Sequence, residues 1–319
     1  MGDKNTPMEF YKSDDLISFL TSLAVHKNYV FRGYGKQAEL TPNIIRDKDW
    51  STHEIALLSE FERYGLQYFS ANNPIDFMSY AQHYGLPTRL LDFTYNPFIA
   101  LSFSLFMPKS TNYKNEDDKT FYYIRYASLN EQVFFRVLPF YNDDSLFQAS
   151  SFAIQCKNMI QSLARVIAGL SEPTDDNNTG IAVILKYLKK VFDETYPESK
   201  NTDMGRFKEF SNNVIEKLSE NRILFVDANQ CSQRIVMQQG LFMFPYTLNA
   251  NRHRTIIEEN TSLIKIHKDI RPDLLAYLDT IGINNYRLMP DIQSVCSTVK
   301  RRIIEERQAK SEQFKKISS

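Results

Sequence analysis

Glycine is scarce in this chain, and long hydrophobic runs are missing altogether. Only 10 of its 319 residues are Gly, against 23 Phe and 18 Tyr. That balance disfavours a glycine-rich all-β barrel and favours helices packed on a sheet. No apolar run reaches the roughly 20 residues needed to cross a bilayer, and the opening MGDKNTPMEFYKSDD holds no apolar signal core. The expectation is a cytoplasmic protein with no membrane partner. Cysteine is confined to Cys156, Cys231 and Cys296. That odd number at wide spacing gives neither a disulfide framework nor a metal-ligand pair, so no metal is expected. An excess of charge of one sign is lacking too. The 38 basic and 38 acidic residues cancel, which argues against a globally cationic nucleic-acid binder but leaves a local patch open. No nucleophile elbow, P-loop or Rossmann glycine fingerprint is present either.

What is present reads as an α+β chain. Apolar spacing predicts helices over 9–27, 53–69 and 75–84, the last stopped by Gly85. Aromatic and β-branched runs predict strands over 28–35, 89–93 and 121–126. Asn96 and Pro97 form an N-cap and first-turn pair opening a helix to about residue 107. Residues 110–119 read as a polar loop, and 128–220 as a mostly helical insertion broken by the polar stretch 171–178. Strands are expected at 222–226, 234–237, 241–244 and 263–267, then a helix over 271–278 and a charged terminal helix from Asp291. The result is a mixed or antiparallel sheet assembled from distant strands.

Three islands carry polar groups in apolar surroundings, where each buried polar group needs a partner or costs about 1–3 kcal/mol. The first is YVFRGYG, with Arg32 between Phe31 and Gly33. The guanidinium fork suits a phosphate or carboxylate, and Gly33 removes a side chain where a ligand would approach. The bland alternative is an Arg paired to a carboxylate such as Asp92. The second island is QHYGLPTRLLDFTYNPFIALSFSLF. His83 is a candidate donor or acid/base group, or else a helix-end His satisfied by carbonyls. Arg89 and Asp92 would frame the site from opposite faces of a strand. Thr94 and Asn96 precede a helix N-terminus, a natural anion site, although ordinary capping explains Asn96 equally well. The third island is QRIVMQQGLF, where strand alternation puts Arg234 with Gln238 and Gln233 with Gln239.

These motifs, FRG, QHYGLPTRLLDFTYNPFIAL and RIVMQQGLF, resemble the FRG domain family of bacteria and their phages. The resemblance runs through Gly282-Ile283-Asn284 and Leu288-Met289-Pro290-Asp291. It places an FRG domain over 28–300 with the helical insertion, between the N-terminal helix segment 1–27 and a charged C-terminal helix or tail over 301–319 that the residues themselves indicate. The aromatic-Arg-Gly strand is also similar to the opening motif of ADP-ribosyltransferases, which implies an NAD cofactor. Under that similarity Arg32, with Gly33, Arg89, Asp92, Asn96 and Arg234, would bind the nucleotide. His83, Thr94 and Gln239 would stand at the reacting end. The chain departs from that pattern at the third motif, which has Gln238 and Gln239 where a Glu would stabilise a developing cation. The implied function is NAD hydrolysis or ADP-ribosyl transfer to a protein or nucleic-acid target, in a toxin or phage-defence effector. The alternative is a non-catalytic module binding a nucleotide or nucleic acid.

Overall fold

The computed structural model describes residues 6–46, 50–65, 67–68, 71, 73–106, 115–135, 151–157, 160–161, 189, 192, 204–227, 233–289, 296, 300 and 303. Its elements run β1 (Met8–Phe10), α1 (Ser13–Val25), β2 (Tyr29–Tyr34), α2 (Asn43–Arg46), α3 (Glu54–Gly65), α4 (Pro74–His83), β3 (Leu91–Thr94) and α5 (Pro97–Leu105). There follow α6 (Glu116–Thr120), β4 (Phe121–Ser128), β5 (Val133–Phe135), α7 (Met204–Ser219), β6 (Leu224–Asp227), α8 (Gln233–Gln238) and β7 (Gly240–Met243). The chain closes with α9 (Ala250–Asn260), β8 (Ser262–His267), α10 (Arg271–Thr280) and α11 (Asn285–Leu288).

The eight strands form one mixed sheet in the order β1-β8-β4-β2-β3-β7-β6-β5. The outer pairs β1–β8 and β5–β6 are parallel, and the pairs between them are antiparallel. This is the α+β arrangement expected, with strands far apart in sequence brought side by side.

Strand alternation sends two apolar sets to opposite faces. On one face Phe31, Tyr122, Ile124, Ile264 and Ile266 pack against α1, α5 and α10. On the same face of the other half-sheet, Leu224, Val226, Phe242 and Phe244 pack against α3, α4 and α7. On the opposite face Val30, Tyr34, Phe93, Tyr123, Phe225 and Leu241 are covered by Ile256 and Ile257 of α9.

The halves meet between β2 and β3. Strand β2 pairs with β4 at six positions but with β3 at one, Phe31 opposite Thr94. This junction is the seam of the sheet. Glycine at position 33 is required beside it. A Cβ there would lie 1.7 Å from the Ala100 carbonyl oxygen and 2.9 Å from the Ser104 nitrogen, so α5 packs backbone to backbone on β2.

Several expectations need correction. The first helix begins at Ser13 rather than residue 9, because residues 8–10 instead add a parallel strand beside β8. The stretch 234–237 is helical, and Gln239, at φ 46°, ends that helix before β7. Within the polar stretch 110–119, Asn115 caps α6. Helix α9 was not anticipated, since its apolar face consists of few residues among many charges. Of the insertion over 128–220, α7 and residues 152–157 are helical, while β4 reaches Ser128 and β5 occupies 133–135. Most of the rest of that span, and nearly all of 301–319, lies outside the described residues.

Candidate functional site

A cavity of about 300 Å³ lies at the seam, lined from both β2 and β3. Strand β2 contributes Arg32 and the following segment Glu39; α2 contributes Asn43 and Arg46. Helix α4 adds Ser79, Gln82 and His83, β3 adds Asp92 and Thr94, and α8 adds Arg234, Ile235 and Gln238. Phe31, Phe103, Phe242 and Met289 supply apolar wall. Six of the nine residues singled out in the sequence therefore line one cavity: Arg32, Gly33, His83, Asp92, Thr94 and Arg234.

The cation at position 32 bridges the seam. Its Nη1 donates to the Asp92 carbonyl oxygen at 2.7 Å and its Nη2 to the Glu39 carbonyl oxygen at 2.7 Å. Side-chain donors thus join two segments where the strand ladder has parted. Asp92 therefore holds Arg32 through its backbone carbonyl and not through the carboxylate that the bland alternative invoked. The Asp92 carboxylate instead accepts from Gln82 Nε2 at 2.7 Å, and Gln82 Oε1 accepts from Thr88. Arg46 converges on the same point, with Nη2 donating to the Glu39 carbonyl at 2.9 Å and Nε to the Thr41 carbonyl at 2.8 Å. Two guanidinium groups share one carbonyl oxygen.

Among the described residues, neither group sits in an ion pair with a carboxylate, nor does Arg234. Burial, then the charge of Arg46, outweighs the attraction of Asp92 and Glu39, and the Arg32 guanidinium is pulled down to about 10. Burial lowers Arg46 as well. Arg32 keeps some surface toward the cavity, but its Nε is fully enclosed and has no hydrogen-bond partner. Helix α9 presents His253, which is 1% exposed and has neither ring nitrogen hydrogen-bonded. Burial, then the nearby Arg32 charge, lowers His253 to about 4 and keeps it neutral.

Other anticipated residues have structural work. Arg89 is 4% exposed and forms a forked pair with Glu54, Nε to Oε1 at 2.8 Å and Nη2 to Oε2 at 2.5 Å. Its Nη1 donates to the Pro245 carbonyl, and the group lies over Phe244, away from the cavity. Asn96 caps α5 by accepting from the Phe98 and Ile99 amides. With Pro97 lacking an N–H, the helix end is closed to an anion. The Thr94 hydroxyl lines the cavity, yet it donates to the Gln238 carbonyl at 2.7 Å and accepts from the Asn96 amide at 3.1 Å. Gln239 is exposed at the end of α8, its carbonyl accepting from the Tyr95 amide, and it does not line the cavity. Gln238 does, and its amide donates to the Leu288 carbonyl. Gly33 serves helix packing, so the space beside it belongs to α5 and not to a ligand.

Sequence reasoning missed Arg46 and Glu39. A cation at the end of the buried helical turn formed by Ile44 and Ile45 was the available signal. What brings it to the cavity wall, the approach to Arg32, is tertiary.

The arrangement is a cation-rich cleft in an α+β scaffold. Residues 27–113, from just before β2 to just after α5, match the family model of the FRG domain, so this part of the chain is similar to that family. The third island, in α8 and β7, lies outside that match. No curated protein and no solved structure matches the chain.

Proposed function

We propose that the cavity binds a phosphorylated nucleotide, NAD or a close relative. One observation carries this reading: Arg32, Arg46 and Arg234 converge on one cavity, and among the described residues no carboxylate is paired to any of them. Two guanidinium groups sharing a carbonyl repel each other, and a phosphate is the guest that relieves that repulsion with forked, charge-assisted hydrogen bonds. Gln82 and the Asp92 carboxylate suit ribose hydroxyls, while Phe31, Phe103 and Met289 offer a surface for a base. Titration calorimetry with NAD and AMP is the direct test. Arg46→Ala should weaken binding about 10- to 100-fold, the loss of one hydrogen bond to a charged group. Unchanged affinity would remove the reading, and an oligonucleotide binding in place of NAD would point to a nucleic-acid module.

A catalytic version is favoured by one further feature. Asp92 is an exposed carboxylate on the cavity wall, oriented by Gln82. It can stabilise positive charge developing on a ribose as nicotinamide departs, the role for which the third motif has no Glu. Thr94 and Gln239 are poor candidates for that end because their polar groups are committed or lie outside the cavity. Asp92→Asn should then abolish nicotinamide release while NAD still binds. A chain that sequesters or cleaves NAD would arrest the cell making it, as a toxin or phage-defence effector does. Growth should stop on induction of the wild type and continue with Arg46→Ala.

A further inference from the structure

Helix α4 ends in a side-chain arrangement that the cavity itself does not use. Tyr84, its C-cap, is 70% exposed. Its ring lies parallel to that of the cavity-lining His83, with centroids 5.0 Å apart and planes at 15°. The turn holding it is rigidly closed. Gly85, at φ 95°, lets its own amide donate to the Gln82 carbonyl and the Leu86 amide to the Ala81 carbonyl. Gln82 in the same turn is tied to Asp92 on β3. A lone exposed Tyr is ordinary on a protein surface. This one is stacked on a residue of the cavity wall, on a helix end pinned to the seam.

The cavity is small for what the proposed reading asks of it. About 300 Å³ stands at the low end of the range of roughly 300–1,000 Å³ for small-molecule sites, and Tyr84 stands just outside the residues that line it. We infer that Tyr84 is the stacking platform for the second base of a dinucleotide whose first nucleotide occupies the cavity. This rests on the nucleotide-binding reading and narrows it to ligands made of two nucleotides. The phosphate bridge would run past Arg32 and Arg46, and the outer base would extend the His83–Tyr84 stack by one ring. Base-on-aromatic stacking tolerates any base, because every base has a π face.

Calorimetry with NAD, AMP and nicotinamide mononucleotide on the full chain tests this. The wild type should bind NAD more tightly than either mononucleotide. Tyr84→Ala should weaken NAD by about 5- to 100-fold, the size of one lost base–aromatic stack, and leave the better mononucleotide unchanged. Tyr84→Phe should restore NAD affinity, since the ring and not the hydroxyl makes the stack. NAD affinity equal in wild type and Tyr84→Ala overturns the platform while leaving the nucleotide site standing. Failure of the wild type to bind any of the three overturns both. Tyr84 is on the surface, so unchanged circular dichroism and melting temperature are expected of both variants.

Discussion

At the residue scale, the chemistry of the cleft is set by groups whose partners are backbone carbonyls. Arg32 has five N–H donors; two go to carbonyls of Asp92 and Glu39, Nε is enclosed, and one on each Nη remains for a guest. His253 of α9 gives a stability prediction. The unfolded imidazole titrates near about 6.5 and the folded one at about 4. The folded form therefore binds fewer protons across that window, so the contribution is complete above pH 6.5 and is lost as pH falls toward 4. The loss should approach about 3 kcal/mol, and denaturant titrations at pH 7 and pH 4.5 would measure it. His253→Leu, similar in bulk and without polar atoms, should flatten that dependence. A slope unchanged in the variant would show that another group titrates. Part of this scale was legible in the sequence. Arg32, His83, Asp92, Thr94 and Arg234 stood out as polar groups in apolar runs. Arg89 carried the same signal for a different reason. Its partner Glu54 lies 35 residues upstream, and a buried Arg looks alike in sequence whether it meets a ligand or a carboxylate.

At the element scale, local chemistry was readable and distant packing was not. Asn96 and Pro97 announced α5 because capping is decided within a few residues. Helix α8 was misread as a strand, since six residues mixing apolar and amide groups satisfy either period. The helix still delivers Arg234 and Gln238 to one side, now by the four-residue spacing of a helical turn. Two predictions belong here. Gly33→Ala should destabilise the fold by about 3 kcal/mol or more, because the added carbon meets main chain of α5 that cannot rotate away. Urea unfolding would read this, and a wild-type midpoint would contradict the packing described. Removing one partner of the buried Arg89–Glu54 pair, as in Glu54→Ala, should cost about 3–5 kcal/mol, and Glu54→Leu with Arg89→Met markedly less. Neither change touches the cleft.

At the scale of the whole molecule, the sheet is two halves meeting at one strand pairing, and the cleft sits on that junction. The alternation of apolar strands foretold a mixed sheet. The order of the strands did not follow from it, since nothing local tells β2 to neighbour β3 and β4 while α9 closes the opposite face. Amides of β3 and the end of β2 should exchange with solvent faster than those of β4 and β8, which are paired at six positions. On the proposed reading, hydrogen exchange with and without NAD should show the seam protected by the ligand.

The two halves are stitched by main-chain oxygens, which no point substitution can delete. The side chains of Asp92 and Glu39 can therefore change while their carbonyls go on gripping Arg32. A lineage can rewrite the chemistry of the pocket wall without unpicking its frame, and a mutagenesis programme at those two positions inherits the same licence.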